Sequence, residues 1–179
     1  MKRRLLAIFL SLTLMLSLVP SAWADVMGNE KQGDTAMSGD CGADGSNVTW
    51  ELEENDDSLY CVTKTTGGTT SWRFYKNASD AKEGQPEQVQ AYTLTISGEG
   101  AMADYARNTT PWGLALAAKL LNEETTDNNV SDFCSPHITR VVFTEDSNVT
   151  YIGAHAFRST SISSITIPDS VKSIGAYAF

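Results

Sequence analysis

The sequence is poor in the residues that carry acid–base, nucleophilic and metal chemistry. It has two histidines and three cysteines among 179 residues. No G-x-S-x-G, H-E-x-x-H or phosphate-loop pattern occurs, which excludes the common hydrolase, metalloprotease and nucleotide sites that those patterns build. Cys134-x-x-His137 is half a metal site by spacing. No second pair stands at ligand distance, and a zinc site takes about four ligands. No cofactor and no metal are therefore expected. Basic residues are also scarce, 13 against 22 acidic, for a formal net charge of −9. Such a surface repels phosphates, so nucleic acid and anionic lipid are excluded as partners. The acids are spread through loops without a D-x-D-x-D-G pattern, which reads as a solvated surface rather than a calcium site.

Only one long apolar run is present, and it is at the start. Lys2, Arg3 and Arg4 precede a mostly apolar stretch from Leu5 to Val19, and Pro20 breaks it. Ala22-Trp23-Ala24 then supplies a small-x-small cleavage site. The whole reads as a signal peptide over residues 1–24. No later run approaches the roughly 20 apolar residues of a transmembrane helix. The mature chain is thus expected outside the cytoplasm, secreted or at the cell surface, with no membrane span. Cleavage would remove three basic residues and no acids, taking the charge from −9 to −12.

Residues 25–40 are polar, bear glycine and lack a period, and read as a disordered leader. Residues 41–112 read as a β module. Val48-Thr49-Trp50-Glu51-Leu52 alternates as a strand does, and so does Tyr92-Thr93-Leu94-Thr95-Ile96-Ser97. Between them lies an insertion, 53–91. Leu59–Thr63 and Ser71–Tyr75 are strand-like around Thr66-Gly67-Gly68-Thr69, which spells a β-hairpin. Alternation puts Trp72 and Phe74 on one face, Arg73 and Tyr75 on the other. Trp72, Phe74 and Tyr75 either pack the hairpin onto the module or offer an aromatic platform to a sugar ring. Asn77 to Gln90 reads as a polar loop. Thr110-Pro111 opens the one clear helix, Trp112 to Asn122, with Trp112, Leu116 and Leu120 on a stripe. It is expected to cap the open end of the last quarter of the chain, and residues 113–137 form the helix and connector.

That last quarter, 138–179, is written twice. ITRVVFTEDSNVTYIGAHAF (138–157) returns as ISSITIPDSVKSIGAYAF (162–179), and IGAHAF at 152 recurs as IGAYAF 22 residues later. A period in the low twenties is the mark of a stacked repeat. Like stacks on like, so the expected core columns are Val141, Phe143, Val149, Ile152 and Phe157 over Ile162, Ile165, Ile167, Val171, Ile174 and Phe179. Gly153 and Gly175 suit a tight corner. The second unit resembles the leucine-rich repeat of BspA-type bacterial surface proteins through Ile162, Ser164–Pro168, Ser170, Val171, Ser173–Gly175, Ala178 and Phe179. The module before it is also similar to the opening of such proteins. Cys41, Gly42, Thr49, Trp50 and Leu52 match its first half, and Thr93–Gly98, Gly100, Met102, Pro111 and Trp112 its second. The insertion has no counterpart there.

The resemblance implies a mainly β chain. An N-terminal β-hairpin or meander cap with one short helix would lead into a leucine-rich-repeat solenoid with two repeats present. It also implies an exported, non-catalytic protein that meets a protein or glycan ligand at the cell surface. The alternative is the non-catalytic front part of a larger exported enzyme or cell-wall protein. Three cysteines allow one disulfide among three pairings, of which Cys41–Cys61 is the most local. Sequons at Asn47, Asn77, Asn108, Asn129 and Asn148 read as chance in an Asn/Ser/Thr-rich chain. Two repeats with an uncovered lower edge read as part of a longer array. The isolated chain is accordingly expected to be marginally stable or to self-associate. A sharp, reversible melt of a monomer, independent of concentration, would contradict this.

Overall fold

A computed structural model describes residues 37–43, 45–121 and 134–179. The expected signal peptide, most of the expected leader and most of the connector lie outside the described residues. Among the described residues, nine strands and one α-helix are assigned: β1 Ser38–Gly42, β2 Gly45–Asn55, β3 Tyr60–Thr66, β4 Thr69–Tyr75, β5 Glu87–Gln88, β6 Ala91–Ala101, α1 Pro111–Leu121, β7 Ile138–Phe143, β8 Asn148–Ile152 and β9 Ser173–Ile174.

β6 is the strand on which the others are laid. Its alternating apolar residues Tyr92, Leu94 and Ile96 are fully buried. One edge pairs antiparallel with β2, from Asn55 opposite Ala91 to Val48 opposite Gly98. The other edge pairs in parallel with β7, from Tyr92 opposite Ile138 to Ile96 opposite Phe143. Further along, the same edge takes β8, with Gly100 opposite Val149. The shift from one partner to the other happens at Gly98 and Gly100, whose φ values are +95° and +98°. A side chain at either would strike Asn47, with an added Cβ 2.3 Å from Asn47 O or Nδ2. β8 then pairs in parallel with β9, and β1 covers the far edge of β2.

Stacking continues beyond the strands. The Met102 N–H donates to Tyr151 O (3.0 Å) and the Tyr105 N–H to Ala154 O (3.0 Å). One layer down, the Gly175 N–H donates to Ile152 O (2.8 Å) and the His155 N–H to Ala176 O (3.1 Å). Tyr105, His155 and Tyr177 thus occupy one column. The stretch from Tyr92 to Tyr105 is therefore a rung of the stack, placed before the two that the sequence displays. Its spelling, TLTISGEGAMADY, hides this, because the glycines and Met102 replace the Val and Ile of the later units.

Several expectations are corrected. Ser38–Asp40, read as leader, belong to β1. Their ladder uses backbone groups and needs no apolar period, and Gly39 lies flat on the Trp50 indole, where a Cβ would be 3.0 Å from Nε1. Within the supposed loop 77–90, Ala78–Asp80 form a 3-10 turn, and Glu87–Gln88 return to pair with β3. The helix does not stand over an end of the stack. Trp112 contacts Trp50, Tyr105 and Phe157 at ring-centre distances of 6.2, 5.4 and 6.0 Å, so α1 lies along the flank of three successive layers. β1 and β2 cover the end instead, since an open strand edge is closed best by another strand.

The core columns are buried in the first unit at Val141, Val149, Ile152 and Phe157, and half-buried at Phe143. In the second unit Ile162, Ile165 and Val171 are half-buried, whereas Ile167, Ile174 and Phe179 are exposed, the last at 51%. Their undersides face no further rung among the described residues. Ile165–Ile167, expected as a strand, carry no ladder. Five residues (144–148) join strand to Val in the first unit and three (168–170) in the second. That offset, about 6–7 Å of extended chain, sets the two runs out of register.

The corner glycines test the stack directly. A Cβ on Gly153 would sit 1.7 Å from Ala103 O, a backbone atom that cannot rotate away. Gly153→Ala should cost about 3 kcal/mol of stability, at the upper end for overpacking. Gly67→Ala, in an open hairpin turn, should cost about 1 kcal/mol from its positive φ alone. Urea midpoints of the two variants check the ranking.

Candidate ligand groove

The edge of β7 that faces away from β6 carries no strand among the described residues, although the Ser161 N–H donates to Ile138 O (2.9 Å) at its start. It forms one wall of a groove of about 960 Å³, and the unladdered segment 163–170 forms the other. Thr139–Thr144 line the first wall, with Val142 46% exposed, and Asp57 and Lys76 from the insertion close one end. Two hydroxyls at the turn between β7 and β8, Thr144 Oγ1 and Ser147 Oγ, are buried without a hydrogen-bond partner.

One end of the groove is built with more order. Asp57 Oδ2 accepts a hydrogen bond from Thr139 Oγ1 (2.8 Å), and its other oxygen meets the Arg140 guanidinium. Asn55 Nδ2 donates to Thr93 Oγ1 (3.0 Å) and to Thr139 Oγ1 (3.1 Å). Burial would raise the Asp57 carboxyl, but the Thr139 hydroxyl and the Arg140 charge outweigh it and hold the group below the usual carboxylate range. This knot ties the insertion to β6 and β7.

Sequence reasoning reached only part of this. Of the aromatics singled out, Phe74 packs edge-on against the His137 ring at 5.2 Å, and Trp72 is 43% exposed on the same face. Tyr75 turns to the opposite face and lines a separate pocket with Arg73. The three are not one platform. Cys41 and Cys61 are both buried and unbridged, in different sheets, and Cys134 is likewise free. The expected Cys41–Cys61 bond is therefore not formed. Cys41 belongs to the main core, and burial pushes its thiol up to about 12. Asp57, Thr139, Arg140 and Val142 were missed as a group. The signal was there in the repeat: Arg140 and Val142 stand where the second unit has Ser164 and Thr166, so the departures from the pattern fall on the outward-facing positions.

Residues 120–179 match the family model described as BspA type Leucine rich repeat region (6 copies). Over these 60 of 179 residues the chain is similar to that repeat region. No curated protein and no solved structure matches it. The matched region begins at the end of α1, so β1 to β6, the insertion and most of the helix precede it. Among the described residues no helix is long and apolar enough to cross a membrane.

The junction beside the groove also sets an acid limit. His137 is 3% exposed, and burial lowers its pKa against the opposing bond from Nδ1 to Gln90 O (2.7 Å). The folded chain then binds fewer protons than the unfolded one below pH about 6.5, so stability falls as pH falls through that range. Asp57 adds a second loss below pH about 4, where the unfolded carboxyl protonates first. Urea midpoints measured from pH 8 to pH 3 should show two descending limbs, and His137→Phe should remove the upper one alone.

Proposed function

We propose that this chain is an exported, non-catalytic interaction protein of the cell surface. In this reading the groove along β7 receives an extended segment of a protein ligand. The observation that carries it is the edge of β7, which among the described residues pairs with no further strand and lies beside an exposed apolar side chain, Val142. Strand addition to such an edge gives affinity from the backbone and selectivity from the flanking side chains. Arg140 and Lys76 at one end, and Glu145 and Asp169 at the other, would set which charges the segment carries and where. The BspA-type region and the signal-like opening support the extracellular setting.

Labelled mature chain applied to arrays of extracellular proteins and of glycans tests the reading. Saturable binding to protein targets is expected, weakened at least about tenfold by Val142→Arg, the order of effect of placing a charge at the centre of a contact. Turnover of a glycoside or peptide panel, lost on substitution of one Asp, Glu or Ser, would overturn it.

A further inference from the structure

The insertion carries a second, separate pocket of about 310 Å³ on its hairpin. Strand register defines its floor. Val62 lies opposite Arg73, Lys64 opposite Ser71 and Tyr60 opposite Tyr75, so Val62, Lys64, Ser71, Arg73 and Tyr75 share one face. The chain beyond the 3-10 turn folds back over that face. Glu83 Oε2 accepts a hydrogen bond from Lys64 Nζ at 3.1 Å. Gly84, with φ +84°, lies so near Val62 that an added Cβ would be 2.5 Å from its Cγ1. The lid can approach only because that residue is glycine.

The charges in the pocket do not balance. Two cations face one carboxylate, and Lys64 takes that carboxylate directly. Arg73 is close enough to help hold Glu83 in its charged form, yet makes no ion pair within 4 Å among the described residues. A spare guanidinium in a chain of net charge −9 is a local exception to the acidic surface. Beside it lie the half-buried Tyr75 ring, the buried Val62 and the Ser71 hydroxyl. A guanidinium selects a planar carboxylate, an aromatic face takes the apolar side of a ring, and hydroxyls meet hydroxyls.

We propose that this pocket binds a carboxylate-bearing sugar ring, with Arg73 on the carboxylate, Tyr75 under the ring and Glu83 as a built-in competitor for the same cations. The site is distinct from the β7 groove and does not depend on it.

Calorimetric titration of the purified chain with glucuronate, glucose and inorganic sulfate tests this. Glucuronate should bind saturably, and glucose and sulfate at least about tenfold more weakly, because neither supplies both the carboxylate and the ring. Arg73→Gln should reduce glucuronate to the level of glucose, and Tyr75→Leu should weaken glucuronate while leaving sulfate unchanged. Glu83→Gln should tighten glucuronate by about fivefold, the scale of one exposed ion pair. Unchanged melting of these surface variants would show that they fold, and Val142→Arg should leave glucuronate binding intact. Sulfate binding as tightly as glucuronate would overturn the sugar assignment. Equal binding of glucose would overturn the role of Arg73, and an unaltered affinity in Glu83→Gln would overturn the competitor. No glucuronate binding by either the parent chain or Glu83→Gln would overturn the site altogether.

Discussion

A parallel ladder can grow only from a strand already in place, and in this chain that strand is β6. It meets β2 in antiparallel fashion on one edge and two parallel strands on the other. A regular strand cannot serve two partners set at an angle. Gly98 and Gly100 resolve this by holding positive φ while their bare α-carbons pass Asn47. Everything after β6 inherits its direction and spacing from that bend. The cap and the stacked layers are therefore not two domains in contact. They share a strand.

The interior repeats the same economy. Trp112 is 1% exposed and touches an aromatic from each of three layers. Phe157 passes the contact on to Phe143 at 6.3 Å and Phe179 at 5.7 Å. A chain of rings at these distances gains from edge and offset contacts beyond the area it buries. It also links layers that backbone hydrogen bonds join. On the outside, Asp104 plays a similar part, accepting the Tyr151 hydroxyl and the Ala154 N–H at 2.7 Å each, from the layer below its own.

What the sequence made legible was periodicity. The hairpin around Gly67-Gly68, the helix from Pro111 and the columns of the first unit all follow from spacing and turn chemistry. The rung formed by β6 was hidden because side-chain identity had drifted while backbone geometry had not. Ser38–Asp40 and Glu87–Gln88 were hidden for a related reason: edge strands need hydrogen-bonding partners more than they need apolar residues. The groove is long-range by nature. Asp57 and Arg140 are 83 positions apart, and no local pattern pairs them. Tyr75 and Arg73 were legible as neighbours on one face, because strand alternation is local, but the lid over them at Glu83 and Gly84 was not.

The chain entropy that each layer costs is set by the length of chain between it and its neighbour. Tyr92 and Ile138, which open the β6–β7 ladder, are separated by 46 residues and the helix, whereas Tyr151 and Ser173 are separated by 22. Closing the longer loop costs more chain entropy. The β6–β7 ladder is thus the contact of the stack that costs more chain entropy to close, and the β8–β9 ladder the one that costs less. Because each layer rests only on its neighbours, local opening is easiest at the outermost described layer, where Ile174 and Phe179 are exposed, and hardest at β6, which is held on both edges.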